Sequence, residues 1–331
     1  MVSKHPEKPR VVITRQLPDA IETRLMELFD TNLNTDDRRF DKNDLKKAVR
    51  QADALIPCLT DQIDADVIKA GGKSLKLIAN FGTGVDHIDL AAAREHGIVV
   101  THTPNVMTDD TADAAMGLII DVARRLSEGD RRVRTNQWSG WSPTQMLGRR
   151  LMGKRLGIIG MGRIGRALAN RARAFGMSIH YCNRNRVREE AEQRLEATYW
   201  SDLPAMLARV DVVSLNCPLT EATHHLINAH TIECMRRRAI IINVARGELI
   251  DDQDLLAALR SGRIAGAGLD VYGRATGVAE DLKTLENVVL LPHLGSATRE
   301  GRIEAGYRVI MNVRAFFDGH LPPDRVLEAD Y

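Results

Sequence analysis

The segment that most constrains the fold is residues 156–186, where a glycine-rich turn joins a strand pattern to a helix pattern. Four apolar residues at 156–159 precede the sequence GMGRIG, apolar positions then recur at helical spacing, and a second apolar run covers 179–182. Strand, glycine turn, helix and strand in this order are typical of a dinucleotide-binding unit. We therefore predict a Rossmann-type fold around this turn, although an ordinary glycine-rich βαβ turn would share the pattern.

Each glycine of the turn has a separate predicted task. Gly160 permits the tight turn, Gly162 lets a pyrophosphate approach the backbone, and Gly165 lets the helix pack close to the strand. The N–H groups and the dipole at the start of the helix favour phosphate charge. Arg163 and Ile164 complete the turn and are included among the predicted cofactor contacts.

The end of the second strand predicts which dinucleotide is bound. NAD-specific sites usually place an acidic residue about 20 positions beyond the glycines, where it holds the ribose 2′-hydroxyl. Here Asn183 takes that place, and Arg184 and Arg186 follow it. Two guanidinium groups could bind a 2′-phosphate that no carboxylate would repel. We predict NADP(H) as the preferred cofactor, with NAD(H) possible; the alternative is a solvated arginine pair.

Length and composition limit the other possibilities. A chain of 331 residues is expected to form two domains, and its net charge of +2 gives no reason to expect nucleic acid or an anionic membrane as partner. The four cysteines are scattered without metal-ligand spacing, so we predict no metal site. The polar start and the absence of an apolar run of 18 residues favour a cytoplasmic protein without a membrane span.

The first hundred residues alternate short strand patterns with helix patterns, which predicts a second doubly wound parallel sheet. The predicted strands are 11–14, 54–57, 75–80 and 98–101, and the predicted helices are 19–29, 42–51, 65–70 and 90–96. The loop after the third strand reads NFGTG. Its residues Phe81, Gly82, Thr83 and Gly84 could form a backbone nest for a small carboxylate, or only a plain turn.

A later helix and four later strands supply the remaining candidate positions. The helix, from about 111 to 126, is apolar on more than one face, which predicts a domain junction or a subunit interface. Strands at 210–216, 239–244, 266–271 and 288–291 end in loops that should surround the nucleotide crevice. The candidates on the helix and at these strand ends are Thr111, Cys217, Pro218, Thr223, Val244, Arg246, Asp270 and His293.

Taken together, the motifs NFGTGVDHID, TDDTAD, GIIGMGRIG, CNRNR, NVARGELID, GAGLDVY and PHLGSAT resemble those of the D-isomer-specific 2-hydroxyacid dehydrogenases, and most closely the glyoxylate/hydroxypyruvate reductase branch. The resemblance covers nearly the whole chain. It implies a flavodoxin-like substrate domain from 1–103 and 298–331, with a Rossmann domain at 104–297 inserted in it. It also implies a homodimer, with the interface helix near 109–130. In this branch a tryptophan near Trp141 can reach the neighbouring subunit's pocket.

The resemblance also assigns roles. Arg246 matches the arginine that holds the substrate carboxylate and polarises its keto oxygen, and His293 matches the acid that protonates the new alkoxide. Asp270 matches the acid that binds the nicotinamide carboxamide. The backbone from Gly82 to Gly84 matches the loop that binds the substrate carboxylate.

One position departs from the family pattern. The family's D-V-[FY]-x-x-E-P carries a glutamate that pairs with the catalytic histidine, and here Ala275 stands in its place. Since a neighbouring carboxylate raises the pKa of a histidine, its loss predicts a slow or acid-shifted reductase. Glu280 or Asp281 could substitute if the loop folds back.

The sequence therefore predicts an NADP(H)-preferring enzyme that reduces small 2-keto acids, glyoxylate and hydroxypyruvate first. Two alternatives stay open: a dehydrogenase for another 2-hydroxy acid, and an NADP(H)-binding sensor or scaffold with little catalysis.

Overall fold

The structure is a computed structural model that describes residues 8–273 and 278–327. Its strands are β1 (Arg10–Ile13), β2 (Asp30–Asn32), β3 (Ala54–Ile56), β4 (Leu77–Ala79), β5 (Val99–Thr101), β6 (Arg155–Ile159), β7 (Ser178–Cys182), β8 (Ala197–Trp200), β9 (Val212–Leu215), β10 (Ile240–Asn243), β11 (Gly266–Leu269) and β12 (Val288–Leu290).

The helices alternate with these strands. They are α1 (Asp19–Leu28), α2 (Lys42–Gln51), α3 (Ala65–Ala70), α4 (Leu90–Glu95), α5 (Thr108–Arg124), α6 (Leu126–Arg134), α7 (Arg163–Ala174), α8 (Glu189–Leu195), α9 (Leu203–Leu207), α10 (Ala229–Cys234), α11 (Asp252–Arg260), α12 (Glu280–Lys283) and α13 (Arg299–Phe317), with 3₁₀ turns at Glu221–Thr223 and Gly247–Leu249. No helix among the described residues has the length and apolarity needed to cross a membrane.

The chain divides into two compact units, one from 1–107 with 298–331 and the other from 108–297. The first contains a five-stranded parallel sheet in the order β2-β1-β3-β4-β5. This is the flavodoxin-like order, in which the strand sequence reverses between β1 and β3. Helix α13 returns from the end of the chain and packs against α1 and β4 of this unit.

The second unit contains a seven-stranded parallel sheet in the order β12-β11-β10-β9-β6-β7-β8. Its strand sequence reverses between β6 and β9, so the glycine turn after β6 lies at the point where such sheets bind ligands. Helix α5 packs on α7, β10 and β11 of the same unit, and its buried side chains include Ala115 and Ile119. The predicted α/β class with two doubly wound parallel sheets is confirmed.

Apolar strands buried on both faces form the core of each unit, as expected where helices cover a parallel sheet. All four residues of β9 and of β10 are buried. The long helix differs from its prediction, because α5 begins at Thr108 and ends at Arg124. Arg125 is left-handed, with φ of 58°, and the separate helix α6 follows it.

Candidate active site

The glycine turn after β6 has the geometry that its three glycines predicted. Gly160 has φ of 99°, and a Cβ there would lie 2.6 Å from the backbone of Asn216 and Cys217. A Cβ on Gly165 would collide with the carbonyl of Gly160. A Cβ on Gly162, by contrast, would meet no atom within 4 Å. Two glycines therefore permit close backbone packing, and the middle one borders open space at the start of α7.

Asn183 ties the end of β7 to this turn. Its Oδ1 accepts a hydrogen bond of 2.7 Å from the N–H of Met161, within the glycine turn. The next residue, Arg184, is exposed and forms no ion pair or hydrogen bond with any side chain of residues 8–273 or 278–327. Of the three residues predicted at the ribose, Asn183 therefore shapes the turn and Arg184 offers an available guanidinium.

Arg186, the second arginine of the predicted clamp, has a partner within its own unit. Its Nε and Nη2 donate to the two carboxylate oxygens of Glu192 at 2.8 and 2.7 Å, and its guanidinium lies 5.6 Å from the centre of the Tyr199 ring. The Tyr181 hydroxyl donates to the same carboxylate at 2.9 Å. This pairing raises the pKa of Arg186 and lowers that of Glu192. Because a bidentate internal partner already neutralises Arg186, we expect Arg184 to be the main contact of any 2′-phosphate.

Arg246 lies three residues beyond β10, on a tight turn that Asn243 holds. Asn243 is buried; its Nδ2 donates to the Arg246 carbonyl at 2.7 Å, and its Oδ1 accepts from the Ala245 N–H at 3.1 Å. The next residue, Gly247, is packed so closely against the backbone of 272–273 that a Cβ would collide with it. These contacts fix the direction of the chain where it carries the Arg246 side chain. The sequence reasoning did not single out Asn243, although a polar residue ending the apolar run at 240–243 was a usable signal.

Asp270 follows β11 directly and holds the loop that carries His293. Its fully buried carboxylate accepts hydrogen bonds from the N–H groups of Leu294 at 2.6 Å and Gly295 at 2.8 Å. The Asp270 carbonyl accepts from the His293 N–H at 3.1 Å, and His293 has a left-handed φ of 59°. Asp270 therefore fixes the backbone of the histidine loop. A carboxylate has about four acceptor positions, so these two bonds leave acceptor capacity for the predicted bond to a nicotinamide carboxamide.

The strand order places the candidate catalytic and binding side chains of this unit at the carboxyl edge of its sheet. Strands β10, β11 and β12 are neighbours, and all three run parallel. Their carboxyl ends carry Arg246, Asp270 and His293, in that order. Tyr272 anchors this edge, since its hydroxyl donates to the Leu291 carbonyl at 2.6 Å, and burial raises its pKa to about 12.

The other predicted cofactor contacts lie in the same unit. Thr111 is buried in the first turn of α5. It lies beside Gly295, because a Cβ on that glycine would be 3.4 Å from the Thr111 side chain. Val244 is buried directly after β10, and Cys217 is half-buried after β9, where burial raises its pKa to about 11. Thr223 donates to the Pro218 carbonyl at 2.8 Å and so shapes the loop after β9. Arg163 is exposed and Ile164 half-buried at the start of α7.

The loop predicted to bind a carboxylate belongs to the other unit, after β4. The Phe81 ring is buried in the core of that unit, and its N–H donates to the Pro57 carbonyl at 2.9 Å. The Gly82 N–H donates to the Asn80 carbonyl at 3.0 Å. These two N–H groups already have hydrogen-bond acceptors, so the predicted contact with a carboxylate is expected at the backbone of Thr83 and Gly84.

Ala275, which replaces the family's glutamate, lies outside the described residues. The two acids considered as substitutes are paired elsewhere. Glu280 pairs with Lys283 at 2.6 Å, and Asp281 pairs with Arg260 at 3.1 Å. Each carboxylate is more than half exposed, which argues against a substitute role for either.

The residues present fit a bound dinucleotide. Open space borders Gly162 at a helix start, and an exposed guanidinium stands just beyond the second strand. A parallel α/β sheet with this turn at its reversal point, and with an arginine and a histidine at strand ends on the same edge, is typical of a nicotinamide-dependent oxidoreductase.

Comparison with known proteins identifies the particular family. A sequence profile described as D-isomer specific 2-hydroxyacid dehydrogenase, NAD binding domain, matches residues 116–295. The glyoxylate reductase of Thermococcus litoralis is 43% identical over 323 residues, which cover 96% of this chain and 97% of that protein. The glyoxylate reductase of Pyrococcus horikoshii is 42% identical over 326 residues, covering 96% of each.

A solved structure is similar across the same span. The NADPH-dependent glyoxylate/hydroxypyruvate reductase of Sinorhizobium meliloti, in complex with NADP and malonate, has a TM-score of 0.88 and 33% identity, and 98% of each chain is covered. This chain belongs to the D-isomer-specific 2-hydroxyacid dehydrogenase family, in its glyoxylate reductase branch, and it is an oxidoreductase that uses a nicotinamide cofactor.

Proposed function

We propose that the protein is an NADP(H)-preferring reductase that converts glyoxylate, hydroxypyruvate and related small 2-keto acids to 2-hydroxy acids. The observation that carries this proposal is the buried scaffold of Asn243, Gly247 and Asp270, which holds the backbone beside Arg246 and His293 at strand ends on the same edge of the sheet. The reductases named above, which act on these acids, support the choice of substrate.

In this proposal Arg246 and His293 divide the work on the substrate. The planar guanidinium of Arg246 donates to the substrate carboxylate and to the keto oxygen, and thus stabilises negative charge that grows on that oxygen. His293 donates its imidazole proton to the same oxygen as it becomes a hydroxyl. The bound nicotinamide supplies the hydride. The backbone of Thr83 and Gly84 acts as a second donor to the carboxylate.

The rest of the prediction is proposed on the same basis. Preference for NADP(H) rests on Arg184 and on the absence of an acid at Asn183. A reducing compartment such as the cytoplasm is supported by four cysteines that are all free. Assembly as a homodimer through the segment around α5 and α6 rests on the family resemblance. It is also supported by exposed apolar side chains at Trp138, Trp141 and Leu147 in the same unit.

The direct test is NADPH oxidation with glyoxylate or hydroxypyruvate, beside an Ala275→Glu variant. Turnover by the wild type supports the reductase. A gain of activity in the variant, greatest near neutral pH, supports the argument that the missing glutamate slows the enzyme. Tight NADPH binding without turnover on any 2-keto acid would favour the sensor alternative.

A further inference from the structure

Two buried side chains that the proposed mechanism does not use, those of Asn80 and His87, hold the backbone of the loop NFGTG. Asn80, only 1% exposed, donates from its single Nδ2 to the carbonyls of Gly82 at 3.0 Å and Gly84 at 2.9 Å. One amide group therefore fixes the carbonyl on each side of Thr83. Since a peptide unit is planar, fixing these two carbonyls also fixes the direction of the N–H groups of Thr83 and Val85, which follow them in the chain.

His87 in turn fixes Asn80. Its Nε2 lies 3.1 Å from the Asn80 Oδ1, and its side chain is buried. Both Asn80 N–H bonds go to carbonyls, so the Oδ1 is identified as the acceptor and the His87 Nε2 must carry the proton. The His87 backbone is itself anchored, because its carbonyl accepts from the Ile63 N–H at 2.9 Å and Ile63 bridges to Ile88.

The opposite side of the loop is fixed independently. The buried His102 donates from Nδ1 to the Thr83 carbonyl at 2.9 Å, and the Thr83 hydroxyl donates to the Thr103 carbonyl at 3.0 Å. The Thr103 N–H donates to the Gly82 carbonyl at 2.9 Å. The carbonyls of Gly82, Thr83 and Gly84 thus all have hydrogen-bond donors. Among these bonds, the Gly84 carbonyl is held only through Asn80, which His87 in turn positions.

We propose that His87 is a positioning residue for substrate binding, which acts through Asn80 to hold the backbone of Thr83 and Gly84 in the conformation that receives the substrate carboxylate. The inference rests on the proposed function, since that function assigns the carboxylate to this loop. It predicts that His87 sets affinity for a 2-keto carboxylate and leaves cofactor affinity unchanged.

The test compares three variants of the full chain. His87→Leu removes the Nε2 donor, and His87→Gln keeps a donor at nearly the same reach. His96→Leu is the matched control, because that imidazole bonds a backbone carbonyl in the same unit at 2.9 Å but at the end of α4. The probe is oxamate, a carboxylate that resembles a 2-keto acid and cannot accept hydride, titrated calorimetrically into the NADPH-saturated protein.

We expect His87→Leu to weaken oxamate binding about tenfold, the effect of losing one buried hydrogen bond, with the Kd for NADPH within about twofold of wild type. His87→Gln should recover most of the affinity, and His96→Leu should retain it. With glyoxylate, KM should rise more than kcat falls.

The proposal is overturned if His87→Leu binds oxamate normally, if oxamate and NADPH affinities fall together, or if the wild type does not bind oxamate. Failure of the proposed function is a separate result. A wild type that binds oxamate but reduces no 2-keto acid would reject the reductase, and the His87 comparison would still be decided by the oxamate titration.

Discussion

At the scale of single residues, the two arginines that follow Asn183 differ in their availability. Arg184 is exposed, whereas the Nε and Nη2 atoms of Arg186 are both bonded to Glu192. We expect Arg184→Ala to raise the Kd for NADPH by roughly 10- to 100-fold, as for a lost charge-assisted bond, and to leave the Kd for NADH nearly unchanged.

Arg186→Ala serves as the comparison, measured by fluorescence titration of both cofactors. Because its guanidinium is already paired, its effect on NADPH affinity should be several-fold smaller than that of Arg184→Ala. A larger loss in Arg186→Ala would mean that the ion pair with Glu192 opens to bind the phosphate, contrary to this account.

Asp270 links stability and activity in one side chain. Asp270→Asn replaces an acceptor oxygen with an N–H₂ group that faces backbone donors at Leu294 and Gly295. We expect the free energy of unfolding to fall by about 1–3 kcal/mol and kcat to fall on the order of tenfold to a hundredfold, as the His293 loop shifts. Urea unfolding and steady-state rates measure the two effects.

Asp251→Ala is the control for Asp270→Asn. Asp251 also accepts from two backbone N–H groups, those of Gln253 and Asp254, but at the start of α11. Its loss should cost about 1 kcal/mol of stability and little of kcat. Equal losses of kcat in the two variants would show that Asp270 acts only through general stability.

At the scale of elements, the glycines of the β6–α7 turn have different roles: Gly165 serves packing, and Gly162 is proposed to serve cofactor binding. Gly165→Ala places a methyl group against the Gly160 carbonyl and should lower the free energy of unfolding by about 1–3 kcal/mol. Gly162→Ala adds a methyl group in open space at an ordinary φ of −76°, so stability should be retained.

The same methyl group on Gly162 stands where a pyrophosphate is proposed to approach, so the Kd for NADPH should rise strongly. Thermal unfolding with and without NADPH checks both glycine variants. Unchanged cofactor affinity in Gly162→Ala would remove the pyrophosphate from this position.

The elements found by sequence analysis were those with an apolar run or an amphipathic pattern. Helices α2 and α3 match their predicted bounds, and the predicted strands match within a few residues. Strand β2 was missed because Asp30-Thr31-Asn32 is a polar edge strand without an apolar residue. Strand β8, also an edge strand, and the polar helix α6 were missed as well, since little of their surface is buried.

The sequence motifs predicted which residues belong to the candidate site, but not which residues they contact. Glycine spacing indicated the turn because φ and close approach restrict those positions locally. The pairing of Arg186 with Glu192, and the bonds from Asp270 to the His293 loop, depend on how α8 and β12 pack. Such contacts between separated segments are not encoded in any local pattern.

At the scale of the whole molecule, the exposed apolar side chains of the second unit predict self-association. Trp141 is 82% exposed, Leu147 69% and Met152 68%, an arrangement typical of surface that a partner covers. We expect twice the 36.8 kDa chain mass in sedimentation equilibrium, and a shift toward the monomer in Leu147→Glu. A monomeric wild type at micromolar concentration would contradict the homodimer.

The central claim is that His293 and Arg246 serve the reduction of a small 2-keto acid with NADPH. The most direct measurement is the steady-state oxidation of NADPH and of NADH with glyoxylate and hydroxypyruvate from pH 5 to 8, for the wild type and His293→Ala. The account predicts turnover that prefers NADPH and falls at least about a hundredfold in His293→Ala. Full activity in that variant, or NADPH binding with no turnover in the wild type, would contradict it.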